Sequence, residues 1–297
     1  MRTVFKVCGL ALAAMALHAP AHAELIFGLQ GNTSIVSFDS ATPGSVLSNR
    51  AITGLDLGDV LIGLDLRPQT DQLFSVATSG NLYRFTDAGA GYTANLVGNI
   101  GTTLSSTNIG IDFNPTADRL RIVSTVFQNL RVNVDNATLL VDGPIDPLLA
   151  LTGLAYSNNF KGSTSTTLFG IDAATGSLVR STNPNAGDYV TVGSLGLSPF
   201  SSGARLGFDI SGATGIGYLG LNDSLYTVDL TTGAATAIGA IGASNIRGLT
   251  VGPGAPVTPT PVPEPATWLL MILGFACASV SWARRPRVIE RAHAQSA

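Results

Sequence analysis

Three aspartates at one position of a repeated motif are the side chains of this sequence best suited to chemistry. Asp65, Asp112 and Asp209 each follow a glycine by two residues. If their strands surround one axis, the carboxylates could converge and bind calcium, which takes about six to eight oxygen ligands. Two of them could instead hydrolyse a glycosidic bond. We favour a simpler interpretation, in which each carboxylate fixes its strand by accepting backbone N–H groups or pairing with an arginine. Ala155, in the third copy, argues against a symmetric ion site.

Other charged residues in the same region are better explained as structural. Asp71 and Asp118 come shortly after a proline in the repeat, where an aspartate commonly stabilises a turn. Arg119, Arg121 and Arg131 could hold an anionic sugar, but we expect them to pair with aspartates on a solvated face of the sheet. The sequence therefore yields no catalytic residue.

Residues 24–261, which we call the body, lack several residue types that enzymes use. Histidine and cysteine occur only outside it, at His18, His22, His293, Cys8 and Cys277. A Ser-His-Asp or Cys-His system has no imidazole base there, and a zinc ion has no nitrogen or sulfur ligand. Glu24 is the only glutamate of the body. These absences favour a protein that is not an enzyme and has no cofactor, apart from calcium at the aspartates.

The charge of the body argues against nucleic acid as a partner. Ten positively and seventeen negatively charged residues give a formal charge of −7. Lysines and arginines are scattered, whereas phosphate binding needs them clustered.

An internal repeat predicts the fold. A first motif, which begins with glycine, recurs at Gly63, Gly110, Gly153, Gly207 and Gly248. A second motif, a period-2 strand that runs into a turn, falls between these copies. The first two copies are 47 residues apart. Units of about 40–50 residues with four strands are typical of propeller blades. The sequence thus predicts an all-β, five-bladed β-propeller, with a β-sandwich as the main rival.

The two ends of the body are predicted to share one blade. Residues 25–55 contain the outer part of a blade but lack its inner strand, and residues 245–251 follow the last glycine motif without completing a unit. We therefore expect residues 245–251 to supply the missing strand, which would close the ring and leave no open sheet edge.

The body also resembles the family known as domain of unknown function 4394. The resemblance extends over nearly all of the body and includes residues 51–55, the Gly-x-Asp-x-x-Pro units, and residues 128–133, 166–172 and 246–249. It implies one secreted, propeller-like domain, at residues 24–254, and it implies no particular activity.

The N-terminus has the features of an export signal. Arg2 and Lys6 precede an apolar run at residues 7–17, and Ala21 and Ala23 form an A-x-A cleavage site. We expect the export machinery and signal peptidase to remove residues 1–23, so that the mature chain begins at Glu24.

The C-terminus has the features of a membrane segment. A Pro-rich linker at residues 255–265 leads to 17 apolar residues, 266–282, close to the shortest helix that spans a bilayer. Arg284, Arg285 and Arg287 follow and favour the cytoplasmic side. The sequence predicts a transmembrane helix with the body outside the inner membrane and a short cytoplasmic tail, residues 288–297.

Residues 262–287 closely resemble the PEP-CTERM sorting signal of exopolysaccharide-producing Gram-negative bacteria. The resemblance rests on the motif Val262, Pro263, Glu264 and Pro265, on the apolar run, and on the arginines after it. It implies recognition by an exosortase, a membrane protease that would cut near the prolines. The inner membrane would then hold the protein only transiently.

These observations predict an exported envelope or extracellular-matrix protein, released to the cell surface or into exopolysaccharide such as that of a biofilm. Its propeller would have a non-enzymatic binding or structural role. Two alternatives are an aspartate-based hydrolase or lyase of extracellular polysaccharide, and a structural propeller stabilised by calcium.

Overall fold

All regular secondary structure in the described part of the chain is β-strand. The computed structural model describes residues 23–104, 106, 108–146, 149–200 and 204–253. The strands in chain order are β1 (Leu25–Gln30), β2 (Ser34–Asp39), β3 (Val46–Thr53), β4 (Asp65–Arg67), β5 (Gln72–Val76), β6 (Asn81–Asp87), β7 (Gly91–Asn99), β8 (Ile109–Asn114), β9 (Arg119–Ser124), β10 (Asn129–Asn133), β11 (Thr138–Val141), β12 (Leu151–Tyr156), β13 (Leu168–Asp172), β14 (Ser177–Asn183), β15 (Asp188–Ser194), β16 (Leu206–Ile210), β17 (Gly217–Leu221), β18 (Ser224–Val228), β19 (Ala235–Ala240) and β20 (Ile246–Val251).

The predicted membrane helix lies outside the described residues, and among those residues no helix is long and apolar enough to span a bilayer. The predicted signal peptide, apart from Ala23, also lies outside them, as do the sorting motif at residues 262–265 and the arginines at 284, 285 and 287.

The strands form four sheets. Three sheets have four strands each, in the orders β8–β9–β10–β11, β12–β13–β14–β15 and β16–β17–β18–β19. The fourth has eight strands, in the order β20–β1–β2–β3–β7–β6–β5–β4. Its strand pairs are antiparallel except for β3 and β7, which are parallel over residues 51–53. The all-β, propeller-like arrangement predicted from the repeat is confirmed.

Strands from the two ends of the body lie side by side. β20 pairs antiparallel with β1, with Ile26 opposite Val251 and Gly28 opposite Leu249. This is the position that the repeat predicts for residues 245–251. The pairing gives β20 a partner and covers an edge that would otherwise expose unpaired backbone groups.

Burial falls from one edge strand to the other in each four-stranded sheet, whereas in the eight-stranded sheet both edge strands are buried and the middle strands β3 and β7 are partly exposed. Nearly every residue of β4, β8, β12, β16 and β20 is buried, whereas β11, β15 and β19 are largely exposed. The five buried strands contact one another in a closed ring, in which β4 follows β20. Apolar side chains fill the space between adjacent sheets; Phe74 and Phe113, for example, pack edge to face at 5.4 Å across such a boundary.

Five glycines at equivalent positions allow the innermost strands to approach one another. A Cβ atom on Gly110 would lie 2.9 Å from the carbonyl carbon of Gly153, and one on Gly248 would lie 2.7 Å from the backbone nitrogen of Leu64. Carbon atoms need about 3.5–4.0 Å. Gly110, Gly207 and Gly248 are therefore required by the packing of backbone against backbone, whereas a Cβ on Gly63 or Gly153 would meet side chains of the neighbouring strand.

Substitution of Gly207 by alanine tests this constraint. The new Cβ would lie 2.4 Å from the backbone nitrogen of Leu249, and backbone cannot move aside as a flexible side chain can. We expect Gly207→Ala to lower the free energy of unfolding by about 1–3 kcal/mol or more, measured by urea denaturation of the full chain.

Gly239→Ala is the matched control. The nearest atom to its new Cβ is Pro43 Cγ, at an ordinary 3.6 Å, so the change should stay within about 0.5–1 kcal/mol. Equal stabilities of the two variants would contradict the packing argument.

Candidate functional site

The innermost strands bring the three predicted aspartates together. Asp65 lies on β4, Asp112 on β8 and Asp209 on β16. One carboxylate oxygen from each lies within 4.8 Å of the others, and the three residues are 0–1 % exposed. The site is therefore a cluster of buried acids at the centre of the ring of strands.

Each of these carboxylates also accepts a hydrogen bond from the next innermost strand. The N–H of Phe113 donates to Asp65 Oδ2 at 2.7 Å, that of Tyr156 to Asp112 Oδ2 at 2.7 Å, and that of Val251 to Asp209 Oδ2 at 2.6 Å. On each neighbouring strand, the donor is the residue that comes directly after the position equivalent to the aspartate. The aspartates thus tie neighbouring strands that are not paired in a sheet.

The other two positions of the ring carry Thr250 and Ala155. Thr250 Oγ1 accepts the N–H of Leu66 at 3.2 Å, as an aspartate would. The side chain of Ala155 has no acceptor. An aspartate at this position would accept the N–H of Ile210, which instead donates to Asp209 Oδ1 at 2.6 Å. Sequence reasoning did not single out Thr250, although its position two residues after Gly248 matches that of the aspartates.

The contacts of Thr250 favour a proton on a neighbouring acid. Its hydroxyl oxygen lies 2.9 Å from Asp65 Oδ1 and 3.0 Å from Asp209 Oδ2. A hydroxyl has one proton and donates to one acceptor at a time. The second short contact is a hydrogen bond only if one of the two carboxyls is protonated and donates to Thr250.

Burial favours the protonated form of the three acids. Desolvation raises the pKa of Asp65 and Asp112 well above the ordinary value, and nearby carboxylates raise both further. Burial also raises the pKa of Asp209 to about 6, against the opposing effect of the N–H groups of Val251 and Ile210. Asp112 Oδ1 is buried and has no hydrogen-bond partner among the described residues. The cluster is stable when protons, or a cation, neutralise it.

This geometry suits architecture better than hydrolysis. Two carboxyl groups about 5 Å apart are typical of retaining glycosidases, and oxygens of the three acids here lie within 4.8 Å of one another. A glycosidase must nevertheless bring both groups into contact with a sugar, and these are almost wholly buried. The interpretation as a polysaccharide-cleaving site therefore loses support.

The predicted arginines lie elsewhere; Arg121 and Arg131 pair with an aspartate as expected, but the expected solvated position was wrong for Arg121. Arg121 is 1 % exposed rather than on a solvated face. It donates to the Tyr156 hydroxyl at 2.8 Å and to Asp142 at 3.0 Å. Arg131 also pairs with Asp142, at 2.7 Å, whereas Arg119 donates to the carbonyl of Asp118. Arg121 is buried because these acceptors surround its guanidinium group. The alternation of residues along its own strand does not predict such contacts with other segments.

The turn aspartates have backbone roles. Asp71 and Asp118 adopt positive φ angles of 55° and 51°, which aspartate tolerates in turns. Asp118 also accepts from Arg67 Nε at 2.8 Å, and Arg67 pairs with Asp135 at 2.8 Å.

The fold and the site together define an all-β, propeller-like domain whose three central acids accept hydrogen bonds from the backbone of neighbouring strands. The chain belongs to the DUF4394 family, described as "Domain of unknown function (DUF4394)", whose model matches residues 34–250. A PEP-CTERM protein-sorting motif matches residues 261–285. Both resemblances seen in the sequence are confirmed, and the second supports sorting by an exosortase.

Solved structures of similar arrangement have low identity to this chain. One, from a nidogen/laminin complex, is 15% identical, with 77% of this chain and 98% of that chain covered and a TM-score of 0.47. A gluconolactonase from Xanthomonas campestris is 13% identical, with 75% and 78% covered and a TM-score of 0.44. A virginiamycin B lyase from Staphylococcus aureus is 10% identical, with 72% and 69% covered and a TM-score of 0.41. No curated protein matches the sequence.

Asp112→Asn tests the protonation of the cluster. The raised pKa of Asp112 means that the folded state keeps a proton that the unfolded state releases above pH 3.8 or so. Its stabilising effect is therefore complete at low pH and is lost as the pH rises through the folded-state pKa. The amide side chain still accepts the Tyr156 N–H but does not titrate.

We expect the stability of Asp112→Asn relative to the parent to increase between pH 4 and pH 8, in chelator. The gain should be on the order of 1 kcal/mol or more, because each unit of difference between the folded-state and unfolded-state pKa is worth about 1.4 kcal/mol. Urea denaturation at several pH values measures it, with Asp71→Asn, at an exposed turn position, as the control. A relative stability that is independent of pH would contradict a buried, protonated Asp112.

Proposed function

We propose that this protein is an exported, exosortase-sorted envelope or matrix protein whose body is a non-enzymatic, five-bladed propeller scaffold. The observation that carries the proposal is the use of the candidate acids. Each is buried and occupied by the backbone of the next strand. Side chains that connect strands in this way serve the scaffold and are withheld from a substrate.

The blade count rests on how the eight-stranded sheet divides. Its only parallel contact, between β3 and β7, covers three residue pairs. On either side lie four antiparallel strands, β20–β1–β2–β3 and β7–β6–β5–β4. With the three four-stranded sheets, this division gives five units, each with one glycine motif on its innermost strand.

The sorting steps follow from the two ends of the chain. Signal peptidase would cut after Ala23, residues 266–282 would hold the body outside the inner membrane, and Arg284, Arg285 and Arg287 would stop transfer. The exosortase would then cut near Val262, Pro263, Glu264 and Pro265 and release the body to the cell surface, where exopolysaccharide is a candidate partner.

Substitution of the motif tests this route. In a host with an exosortase, alanine at Pro263, Glu264 and Pro265 together should leave the full-length protein in the membrane fraction, because the protease no longer recognises its site. Immunoblots of membrane, surface and medium fractions measure the distribution.

Glu290→Gln, a change in the predicted cytoplasmic tail, is the control and should be processed as the parent is. A host that lacks the exosortase should retain the parent protein in the membrane as well. Unchanged release of the triple variant would refute sorting through this motif.

A calcium-stabilised scaffold is the second candidate. It is favoured by the unpartnered Asp112 Oδ1 and by carboxylate oxygens within 4.8 Å of one another. A cation there would neutralise the charges that otherwise require protons. Asp65, Asp112, Asp209 and the Thr250 hydroxyl would supply oxygen ligands.

Melting with and without calcium tests the second candidate. If calcium is present at about 100-fold its Kd, it should stabilise the parent by about 2.7 kcal/mol, or raise Tm by roughly 5–10 °C. Asp112→Asn should abolish the rise. An unchanged melt of the parent, or an equal rise in the variant, would remove calcium and leave the metal-free scaffold.

A further inference from the structure

A separate pocket lies at the end of the innermost strands from which β12, β16 and β20 begin. It has a volume of about 160 Å³ and is lined by Thr152, Arg205, Asn245 and Arg247, among other residues. It continues into a stretch of only about 10 Å³, lined by the five glycines, which is near the least space that holds one water. The aspartates lie two residues beyond those glycines along the strands, so a ligand in the pocket would not reach them.

Two guanidinium groups of the pocket have unused hydrogen-bonding capacity. Arg247 has no ion-pair partner among the described residues, and the contact found for it there is a long one, from Nε to Asn245 Oδ1 at 3.5 Å. Arg205 pairs with Asp223 through one terminal nitrogen at 2.9 Å. Its Nε is buried and lacks a described partner. Both side chains are partly exposed, but Arg205 Nε is buried, and a buried guanidinium N–H favours an anionic acceptor.

Thr152 provides an independent sign of a ligand. Its side chain is buried, with 8 % of the residue exposed, and its hydroxyl oxygen has no hydrogen-bond partner in the described residues. A buried hydroxyl without a partner costs free energy. An acceptor in the pocket would remove that cost.

The backbone at Thr152 and Arg247 departs from the regular strand. The pairing of β12 with β13 shifts register between Leu151 and Gly153, and that of β20 with β1 passes from Gly248 to Ile246. Thr152 and Arg247 are the residues left without a pairing partner at these two bulges. Bulges turn a side chain away from its regular direction and are frequent next to binding sites.

The repeat explains why these two residues are unusual. The residue before the glycine is apolar in the other three copies, where it is Ile62, Ile109 or Leu206. The architecture is therefore satisfied by an apolar side chain at this position. Thr152 and Arg247 are polar for a reason other than the packing of the innermost strands.

We propose that this pocket binds the carboxylate group of a small organic acid or of an acidic sugar. Arg247 donates two parallel N–H bonds to the carboxylate, and the Thr152 hydroxyl and Arg205 Nε donate further bonds. The pocket is smaller than the roughly 300–1,000 Å³ of sites for drug-sized ligands, which suits a single acid or the end of a glycan chain. The proposal concerns a ligand of the body and stands apart from the route of export.

Calorimetric titration of the full chain in detergent tests the proposal. The probes are glucuronate, acetate and glucose at equal ionic strength. Glucuronate should bind, and glucose, which lacks the carboxylate, should bind at least about tenfold more weakly. Equal affinities for acetate and glucuronate support recognition of free carboxylic acids, whereas tighter binding of glucuronate supports an acidic sugar.

Three variants locate the site. Arg247→Gln should weaken glucuronate binding about 10- to 100-fold, because it removes charged hydrogen bonds. The isosteric Thr152→Val should weaken it about 2- to 10-fold, because the hydrogen bond of a neutral hydroxyl contributes less. Arg180→Gln, at an exposed position of β14, should bind as the parent does. The proposal would be overturned if a parent protein that melts cooperatively did not bind glucuronate, or if glucose bound equally well. An equal loss of binding in Arg180→Gln would also overturn it. Because none of these readouts involves sorting, failure of the pocket and failure of the export route are distinguishable.

Discussion

The close approach of the five innermost strands is the constraint on which the rest of this structure depends. Neighbouring innermost strands belong to different sheets or to opposite edges of one sheet, so no regular ladder of hydrogen bonds joins them. Their backbones nevertheless come so close that a Cβ on Gly207 would lie 2.4 Å from a backbone nitrogen. A buried N–H at such a boundary must still find an acceptor. The side chain two residues after each glycine is well placed to supply it.

Aspartate can supply this acceptor, but the electrostatic cost of burying it rises with each further aspartate in the ring. A carboxylate is a strong acceptor for an N–H group, but three buried carboxylates within 4.8 Å repel one another and lose hydration. Thr250 and Ala155 stand where two further aspartates would make the repulsion worse. Thr250 keeps the acceptor without a charge, and Ala155 gives up the acceptor, while Asp209 supplies one to Ile210 through its second oxygen. The imperfect repeat thus reduces the charge of the ring and preserves most of its hydrogen bonds.

The sequence predicted the elements that repeat and missed those that occur once. The glycine motif recurs at intervals of 41 to 54 residues, and an aspartate follows the glycine in three of its five copies. The innermost strands, the convergence of Asp65, Asp112 and Asp209, and the place of residues 245–251 could therefore be anticipated. Thr250 escaped notice because a hydroxyl that replaces a carboxylate breaks the visible motif. The burial of Arg121 was unpredictable because two of its acceptors, Asn185 and the carbonyl of Pro184, lie more than 60 residues away in the sequence. The register shifts at Thr152 and Arg247 leave no mark on composition or period.

Departures from the repeat are consequently more informative about function than the repeat itself. A residue that recurs in each unit is accounted for by what the units share, which is the need to pack and tie their innermost strands. A polar side chain where the other units have Ile or Leu has no such explanation, and a bulge at the same residue adds the cost of a lost pairing. Arg247 and Thr152 combine both departures beside one pocket. The five glycines separate Arg247 and Thr152 from the buried acids. The ligand bound in the pocket could therefore differ without any change in the hydrogen bonds that hold the innermost strands together.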